Sequence, residues 1–215
     1  MKTIKILASL AFVFLAGMVM AQDGETDNRE KFQVGLKAGL NYSNVYNSNT
    51  EEFRADSKFG FAGGAVMRIP LGKYLGVQPE ILYSHKGFKG TGRMLGSEYS
   101  FSRTTSFIDV PLLIALKPSE FITVVAGPQY SYLLSQKDVF NSSDMSYEIE
   151  QEFKNDNIRK NILGLVAGVD INIMHVIIGA RVGWDIQNNK GDGTSSSPQY
   201  KNTWFQGTIG YLIYR

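Results

Sequence analysis

The segment QVGLKAGLNY at residues 33–42 decides the fold of this chain, because its apolar residues stand at every second position. Val34, Leu36 and Leu40 fall on one face of an extended chain, whereas Lys37 and two glycines fall on the other. Successive side chains of a β-strand point to opposite faces of the sheet. A period of two therefore predicts a strand with one apolar and one polar face.

The same alternation recurs along the rest of the chain. The eight predicted strands are residues 33–42, 58–69, 75–86, 104–116, 121–135, 162–172, 176–186 and 203–213. Leu82 and Leu113 interrupt the pattern, because each is an apolar residue at a polar-face position. Eight amphipathic segments of similar length predict an all-β protein.

The connections between these strands also alternate, here in length. The second, fourth and sixth are short turns at residues 70–74, 117–120 and 173–175. The first, third, fifth and seventh are long and polar, at residues 43–57, 87–103, 136–161 and 187–202. An even number of strands with short turns at one end and long loops at the other is typical of outer-membrane barrels, whose long loops are extracellular.

The polar face distinguishes such a barrel from a soluble barrel, whose apolar face points inward around a ligand. Nine glycines share this face with long charged side chains. Glycine weakens strands and is not favoured on a solvated outer face, whereas small and long side chains interdigitate in a narrow interior. We therefore predict that the apolar face meets lipid and that the charges lie inside. The predicted interior charge network comprises Lys37, Arg68, Glu80, Asp109, Asp170, Arg181 and Asp185.

This network has two interpretations, a transport path and a ladder of ion pairs. The ladder is favoured, because an eight-stranded barrel is filled by its own side chains. Arg68 is expected near Glu80, and Arg181 near Asp170 or Asp185. No open pore is predicted.

Aromatic residues cluster near both ends of the predicted strands. Near the long-loop ends are Tyr42, Phe59, Phe61, Tyr83, Phe107, Tyr130, Tyr132, Trp184, Trp204 and Phe205. Near the short-turn ends are Tyr74, Phe121, Tyr211 and Tyr214. Two aromatic belts around an aliphatic band match the two interfaces of a membrane.

The N-terminus has the pattern of a secretory signal. Lys2 and Lys5 precede an apolar run that ends at Ala21. We predict a signal peptide at residues 1–21, a short polar segment at 22–31 and a barrel domain at 32–215. Export through the Sec signal peptide would deliver the chain to the cell outer membrane.

Composition excludes several classes of protein. The chain has no cysteine, so neither disulfides nor thiolate metal sites hold it and no lipoprotein anchor is attached. Removal of the predicted signal peptide, with Lys2 and Lys5, leaves 20 basic and 20 acidic residues. This balance lacks the excess of positive charge that is typical of nucleic-acid-binding proteins. After residue 20 no apolar run reaches the roughly 18 residues that a spanning helix needs. The predicted fold is an eight-stranded antiparallel up-and-down transmembrane β-barrel with a cleaved signal peptide, and neither cofactor nor metal is predicted.

Five short motifs carry a resemblance to a known family. They are QVGLKAGLNYS at 33–43, GFAGG at 60–64, VQPEILYS at 77–84 followed by Gly87, IDVPLL at 108–113 and AGPQY at 126–130. Together they resemble the PorT-like outer-membrane β-barrel proteins of the Bacteroidetes lineage, over essentially the whole mature chain. The resemblance implies an outer-membrane barrel, in a family whose namesake takes part in protein secretion and gliding. Most members have no defined activity.

The strongest candidate for an enzymatic site is His85, with Ser84 beside it and Glu80 and Glu98 nearby in sequence. Some eight-stranded outer-membrane barrels are lipid A esterases that use histidine, serine and glutamate near the outer rim. Adjacent residues of one strand face opposite ways, so Ser84 and His85 are not expected to meet. We predict that the protein is not an enzyme. A lipid-modifying enzyme and an accessory of a secretion system remain the alternatives.

Two connections are candidates for binding a partner. In the fifth, Glu148, Glu150 and Glu152 alternate with apolar residues, which predicts an extended hairpin with an acidic ridge. The ridge is interpreted either as a site for cations or a basic partner, or as a solvated edge that discourages sheet-to-sheet pairing. In the third, the basic residues Lys86, Lys89, Arg93 and Arg103 could contact lipopolysaccharide phosphates, or simply be solvated. The predicted function is a non-enzymatic barrel that presents extracellular loops for envelope integrity or for a partner.

Overall fold

The computed structural model describes residues 27–46, 54–94, 97–142, 145–152, 158–189 and 200–214. Its strands are β1 (Gln33–Tyr46), β2 (Arg54–Pro70), β3 (Leu75–Met94), β4 (Ser97–Leu116), β5 (Ile122–Ser142), β6 (Met145–Glu152), β7 (Asn161–Ile173), β8 (Val176–Asp185) and β9 (Lys201–Tyr214). A single 3-10 turn, Asn28–Glu30, precedes β1. The predicted signal peptide, residues 1–21, lies outside the described residues.

Eight of these strands form a closed antiparallel barrel. Their order is β1, β2, β3, β4, β5, β7, β8, β9, and β9 returns to pair with β1. The closing pair is long and regular, running without a register shift from Gln33 opposite Tyr214 to Tyr46 opposite Lys201. The predicted eight-stranded antiparallel up-and-down barrel is therefore confirmed. No helix among the described residues is long and apolar enough to cross a membrane.

The wall of the barrel is much taller on one side than on the other. β3, β4 and β5 have 20, 20 and 21 residues, whereas β8 has 10. β6 pairs with β5 above the end of β7 and adds a ninth strand to this tall side. The prediction of a long third loop at residues 87–103 is wrong, because β3 and β4 remain paired as far as Met94 and Ser97. Glycines and polar residues interrupt the alternation at residues 87–103, so the sequence pattern does not predict a strand there. Pairing in register with the neighbouring strands keeps this part of the chain extended.

The outer wall is apolar along its whole circumference. Leu36, Ile81, Ile114 and Phe205 each expose more than half of their surface, and each points outward. Contiguous exposed apolar surface on this scale is rare on monomeric soluble proteins. The outward face of the predicted strands is therefore the one that a lipid environment covers.

The aromatic belt predicted near the long-loop ends of the strands is the upper belt. Two of its predicted residues lie inside the barrel instead. Phe107 and Trp204 expose only 1% and 2% of their surface. Both stand at interior-face positions of their strands, since Phe107 shares the phase of Asp109 and Trp204 that of Gln206. The position of these residues near the strand ends predicts the belt. Alternation along the strand, however, determines which face a side chain lies on.

The interior glycines have a physical reason that differs from the predicted one. At Gly35, Gly39, Gly64, Gly127 and Gly168, an added Cβ would collide with a backbone carbonyl oxygen of the neighbouring strand. These glycines therefore permit the close backbone approach of a strongly curved sheet. At Gly183 an added Cβ would collide with the Trp204 ring, so this glycine makes room for a side chain.

Apolar side chains also occupy part of the interior, which was predicted to hold mainly glycines and charges. Leu113, Val125, Val166 and Trp204 pack in one cluster. A smaller cluster combines Val66, Ile177 and Leu212 near the short-turn end. Leu82 and Leu113, which had interrupted the alternation, are both buried inside. Polar and apolar contacts thus alternate within the barrel.

Candidate functional site

The lower half of the interior, which is the half towards the short turns, is filled by a network of five charged side chains from five strands. Lys37 of β1 contacts Glu80 of β3 in an ion pair that has almost no exposed surface. Arg181 of β8 lies 3.6 Å from Glu80 and forms a two-armed contact with Asp170 of β7, at 2.5 and 2.9 Å. Arg68 of β2 donates to the same Asp170 at 2.8 Å. The network links strands on opposite sides of the barrel.

Neutral side chains complete the hydrogen bonds of this network. Gln78 accepts from Arg68 Nε at 2.8 Å and donates to Glu80 at 2.8 Å. Asn172 accepts from Arg68 Nη1 at 2.8 Å and donates to Thr123 at 3.0 Å. Buried charges are stable only when paired and hydrogen-bonded, and the network meets that condition at nearly every polar atom. Arg181 Nε is the exception, with no partner among the described residues.

A second charged cluster lies in the upper half of the interior. Lys86 Nζ lies 3.0 Å from Asp109, and both side chains are almost wholly buried. Ser84 and Ser131 each donate a 2.5 Å hydrogen bond to the Asp109 carboxylate. Lys86 Nζ also lies 3.8 Å from the centre of the Trp204 ring. A cation over an aromatic face is stabilised by the charge distribution of the ring, so Trp204 helps Lys86 to remain in the interior.

The seven predicted interior residues are all buried, and they divide into these two clusters and one separate carboxylate. Arg68 contacts Asp170 and Gln78, while Glu80 contacts Lys37, so the expected pairing of Arg68 with Glu80 does not form. Arg181 contacts Asp170. Asp185 instead accepts a 2.6 Å hydrogen bond from Asn202.

The long-loop end of the interior is closed by an aromatic cluster around Arg103. Its guanidinium donates two 2.8 Å hydrogen bonds to Asp138 and lies 5.2 to 5.8 Å from the rings of Phe88, Phe101 and Tyr200. Burial alone would lower the pKa of Arg103, but Tyr200 and Asp138 outweigh it and the pKa is raised. Arg103 therefore remains charged at the rim.

The short-turn end is crossed by the segment that precedes β1. Arg29 Nη1 donates to the carbonyl oxygen of Lys117 at 3.3 Å, and Lys117 Nζ donates back to the Arg29 carbonyl. Lys117 follows β4, which lies across the barrel from β1. Asp27 accepts hydrogen bonds from Arg29, which hold the pKa of Asp27 well below its usual range. Residues 27–31 thus form a strap across the short-turn mouth of the barrel.

The residues of the proposed esterase site point in opposite directions. Ser84 is fully buried inside and bonded to Asp109. His85 faces outward, where its Nε2 lies 2.9 Å from the hydroxyl of Tyr83. Glu80 is committed to Lys37, and the side chain of Glu98 lies outside the described part of the chain. The described residues therefore contain no serine and histidine pair at this place.

The two loop candidates have different outcomes. The alternation around Glu148, Glu150 and Glu152 forms β6, with Glu150 opposite Lys137 in register. The side chains of β6 lie outside the described part of the structure. In the third connection Lys86 and Arg103 are turned into the barrel and bonded to Asp109 and Asp138, so neither is available to lipopolysaccharide. Lys89 is exposed on the outer wall, and the Arg93 side chain is outside the description.

Metal ligands do not cluster in the described ranges, where no group of three or more histidine, cysteine or acidic side chains could hold an ion. The ionisable side chains of the interior are instead used on one another. The arrangement can neutralise charge, fill space and bind strands together.

The closed barrel, with its apolar outer wall and ion-paired interior, agrees with the family to which the sequence is similar. The family model described as outer membrane protein beta-barrel domain matches residues 20–191. The chain belongs to this family. It is therefore an outer-membrane β-barrel protein. No curated protein is recognisably similar to it in sequence.

Solved structures of outer-membrane proteins resemble this barrel at low sequence identity. Ail, the attachment invasion locus protein of Yersinia pestis, is 14% identical, with 85% of this chain and 99% of that chain covered and a TM-score of 0.43. Neisserial surface protein A is 10% identical, with 88% and 99% covered and a TM-score of 0.46. The outer membrane protease OmpT of Escherichia coli is 9% identical, with 87% and 97% covered and a TM-score of 0.38. At these identities the similarity concerns the fold and not the activity.

Sequence reasoning missed three features of this barrel protein. Gln78 shares the phase of Glu80, so alternation alone could have placed it in the network. Trp204 shares the phase of Gln206 and could have been placed inside by the same argument. The strap through Arg29 left no sequence signal, because its partner is a backbone carbonyl 88 residues away.

Proposed function

We propose that the protein is a non-enzymatic outer-membrane barrel, closed without an open pore, whose extracellular wall supports envelope integrity or presents a surface to a partner. The observation that carries this proposal is the ion-paired network in the lower interior. It joins β1, β2, β3, β7 and β8 across the space that a channel would need.

Three further obstructions stand along the same axis and support a closed barrel. Lys86 and Trp204 are almost fully buried in the upper half of the interior. Arg103 and its aromatic neighbours cover the extracellular end, and the strap through Arg29 crosses the periplasmic end. An eight-stranded barrel has an interior just wide enough for its own side chains.

The alternatives are a lipid-modifying enzyme and a secretion accessory of the PorT-like kind. The enzyme requires a nucleophile within hydrogen-bond reach of its base, whereas Ser84 and His85 lie on opposite faces of β3. Resemblance in sequence motifs favours membership of the PorT-like group within the outer-membrane barrel family. A role in secretion would use the extracellular wall or the periplasmic strap as a docking surface.

Conductance across a planar bilayer tests the closed barrel. The purified mature protein, refolded to the heat-modifiable form, is expected to give no steady single-channel current at neutral pH, because buried ion pairs block the axis. A porin inserted under the same conditions provides the positive control. Stable, reproducible current steps from the refolded protein would contradict the proposal.

A further inference from the structure

The outer wall carries a group of basic side chains directly above the upper aromatic belt, on the tall side of the barrel. The outer basic site consists of Lys58 on β2, Lys89 on β3 and Lys137 on β5, with the hydroxyls of Ser102 and Thr104 on β4 between them. In register, Ser102 stands opposite Lys89, and Thr104 stands opposite both Gly87 and Lys137. The outward phase of these β4 residues is fixed by Arg103, which lies between them and points inward.

Lys58 reaches this site because of an irregularity in the sheet. The pairing of β2 with β3 shifts by one residue between Ser57 and Ala62, so the chain at Lys58 is not held against β3 by regular pairing. Gly87 has no side chain to block the path from β2 to β4. Lys58 Nζ donates to Ser102 Oγ at 2.9 Å and also to Thr104 Oγ1.

The contacts of Lys58 fix its position without neutralising its charge. Both described partners of its ammonium group are neutral hydroxyls. Burial lowers the pKa of Lys58, and the positive charges of Lys89 and Lys137 lower it further, although Asp138 acts in the opposite direction. The charges of Lys89 and Lys137 therefore act on the ammonium group of Lys58. An anion bound beside Lys58 would offset this repulsion.

The height of the site matches the headgroup layer of a membrane. Tyr83 and Tyr132, both opposite Ile108, belong to the upper aromatic belt. Thr104 is four residues further up β4 than Ile108, which is about 13 Å along a strand and about 10 Å along a tilted one. The headgroup layer extends about 5 to 8 Å beyond the hydrocarbon, and a lysine side chain can reach downward to its polar surface.

We propose that the outer basic site binds a phosphate group of lipid A in the outer leaflet. Phosphate is recognised by ammonium groups as point charges and by hydroxyl donors, and the site offers both kinds of group on a rigid sheet. Asp56 stands opposite Lys89 in register, and Glu150 stands opposite Lys137. The described partners of Lys58 are neutral hydroxyls, so Lys58 is the central cation of the site. The inference rests on the proposed function, because it assumes a barrel whose outer wall supports the envelope.

This site differs from the basic loop that the sequence suggested. Lys86 and Arg103, two of the four basic residues of that loop, are bonded inside the barrel. Lys58 lies outside that loop, at the start of the second predicted strand. Only the structure brings it beside Lys89 and Lys137.

Binding of purified bisphosphoryl lipid A to the mature protein in dodecylmaltoside, counted by native mass spectrometry, tests the proposal. Lys58→Gln combined with Lys89→Gln is expected to weaken binding about thirtyfold, from the loss of two cations near an anionic headgroup. Lys31→Gln combined with Lys73→Gln removes the same charge at the periplasmic end and is expected to leave binding within about twofold. Lipid A stripped of both phosphates is expected to bind the wild type as weakly as the intact lipid binds the double variant.

Heat-modifiable migration in gels separates failure of the site from failure of the barrel. If the wild type does not migrate as a folded barrel, the proposed function fails; if folded variants bind lipid A like the wild type, the site fails. Equal loss in both double variants, or undiminished binding of dephosphorylated lipid A, would also overturn the site. Abolition of binding by millimolar inorganic phosphate would assign it to free phosphate and reject the lipid. Lys89 is exposed, so Lys89→Gln alone provides a folded variant, with an expected loss of about fivefold.

Discussion

Alanine in place of Gly39 is expected to prevent the barrel from closing stably. The added Cβ would fall within the carbonyl oxygen of Gly207 and 2.7 Å from Thr208 Cα, both on the neighbouring β9. Backbone atoms cannot move aside as a flexible side chain can, and the β1–β9 pair is the seam that joins the ends of the sheet. We expect a loss of about 3 kcal/mol in the free energy of unfolding, measured by urea titration in lipid vesicles.

The matched control for this change lies directly across the seam. Gly207 stands opposite Leu40 in register, and an added Cβ there would meet no atom within 4 Å. Gly207→Ala is expected to fold and to retain the urea midpoint of the wild type. If both variants behave alike, the close approach of β1 and β9 is not the reason for glycine at position 39.

Removing the carboxylate of Asp170 is expected to have the second large effect. Asp170 accepts hydrogen bonds from Arg68 and Arg181, and it has no exposed surface. Asp170→Ala leaves two guanidinium groups buried with Glu80 as the one acidic member of the network. Loss of one partner of a buried ion pair typically costs about 3 to 5 kcal/mol, because the remaining charge is uncompensated. The measurement is the urea midpoint of the refolded protein in vesicles.

Asp27→Ala provides the control for Asp170→Ala, since Asp27 also pairs with an arginine. Its partner Arg29 lies 2.6 Å away, but the Asp27 side chain is 35% exposed and its charge is screened by water. The midpoint of Asp27→Ala should coincide with that of the wild type. A midpoint for Asp170→Ala that also coincides would show that the network contributes no stability.

Alternation in the sequence was sufficient to predict the barrel, because each strand has to present one face to lipid and one to the interior. The same rule places Lys37, Arg68, Glu80, Asp170 and Arg181 inside. It could not predict the partners, since a shift of two residues in register keeps every face and changes every neighbour. Arg68 therefore meets Asp170, from the opposite side of the barrel, and not the nearby Glu80.

The extracellular wall was less predictable for a different reason. Above the membrane both faces of a strand can be polar, so the alternation that marks β3 below Lys86 is absent above it. Pairing with neighbours then holds the strand, and pairing depends on residues far away in sequence. Lys58, Ser102 and Lys137 illustrate this. They lie near one another because of a register shift between β2 and β3 for which the sequence has no signal.

In this barrel the apolar side chains face lipid, while the charged network and its aromatic neighbours face inward. The two tryptophans test this arrangement, since Trp184 points outward and Trp204 points inward beside Lys86. Each is isolated by replacing the other with phenylalanine, and its fluorescence is measured in vesicles of phospholipids brominated on their acyl chains. Strong quenching of Trp184 and much weaker quenching of Trp204 are predicted. Stronger quenching of Trp204 would contradict the orientation of the wall.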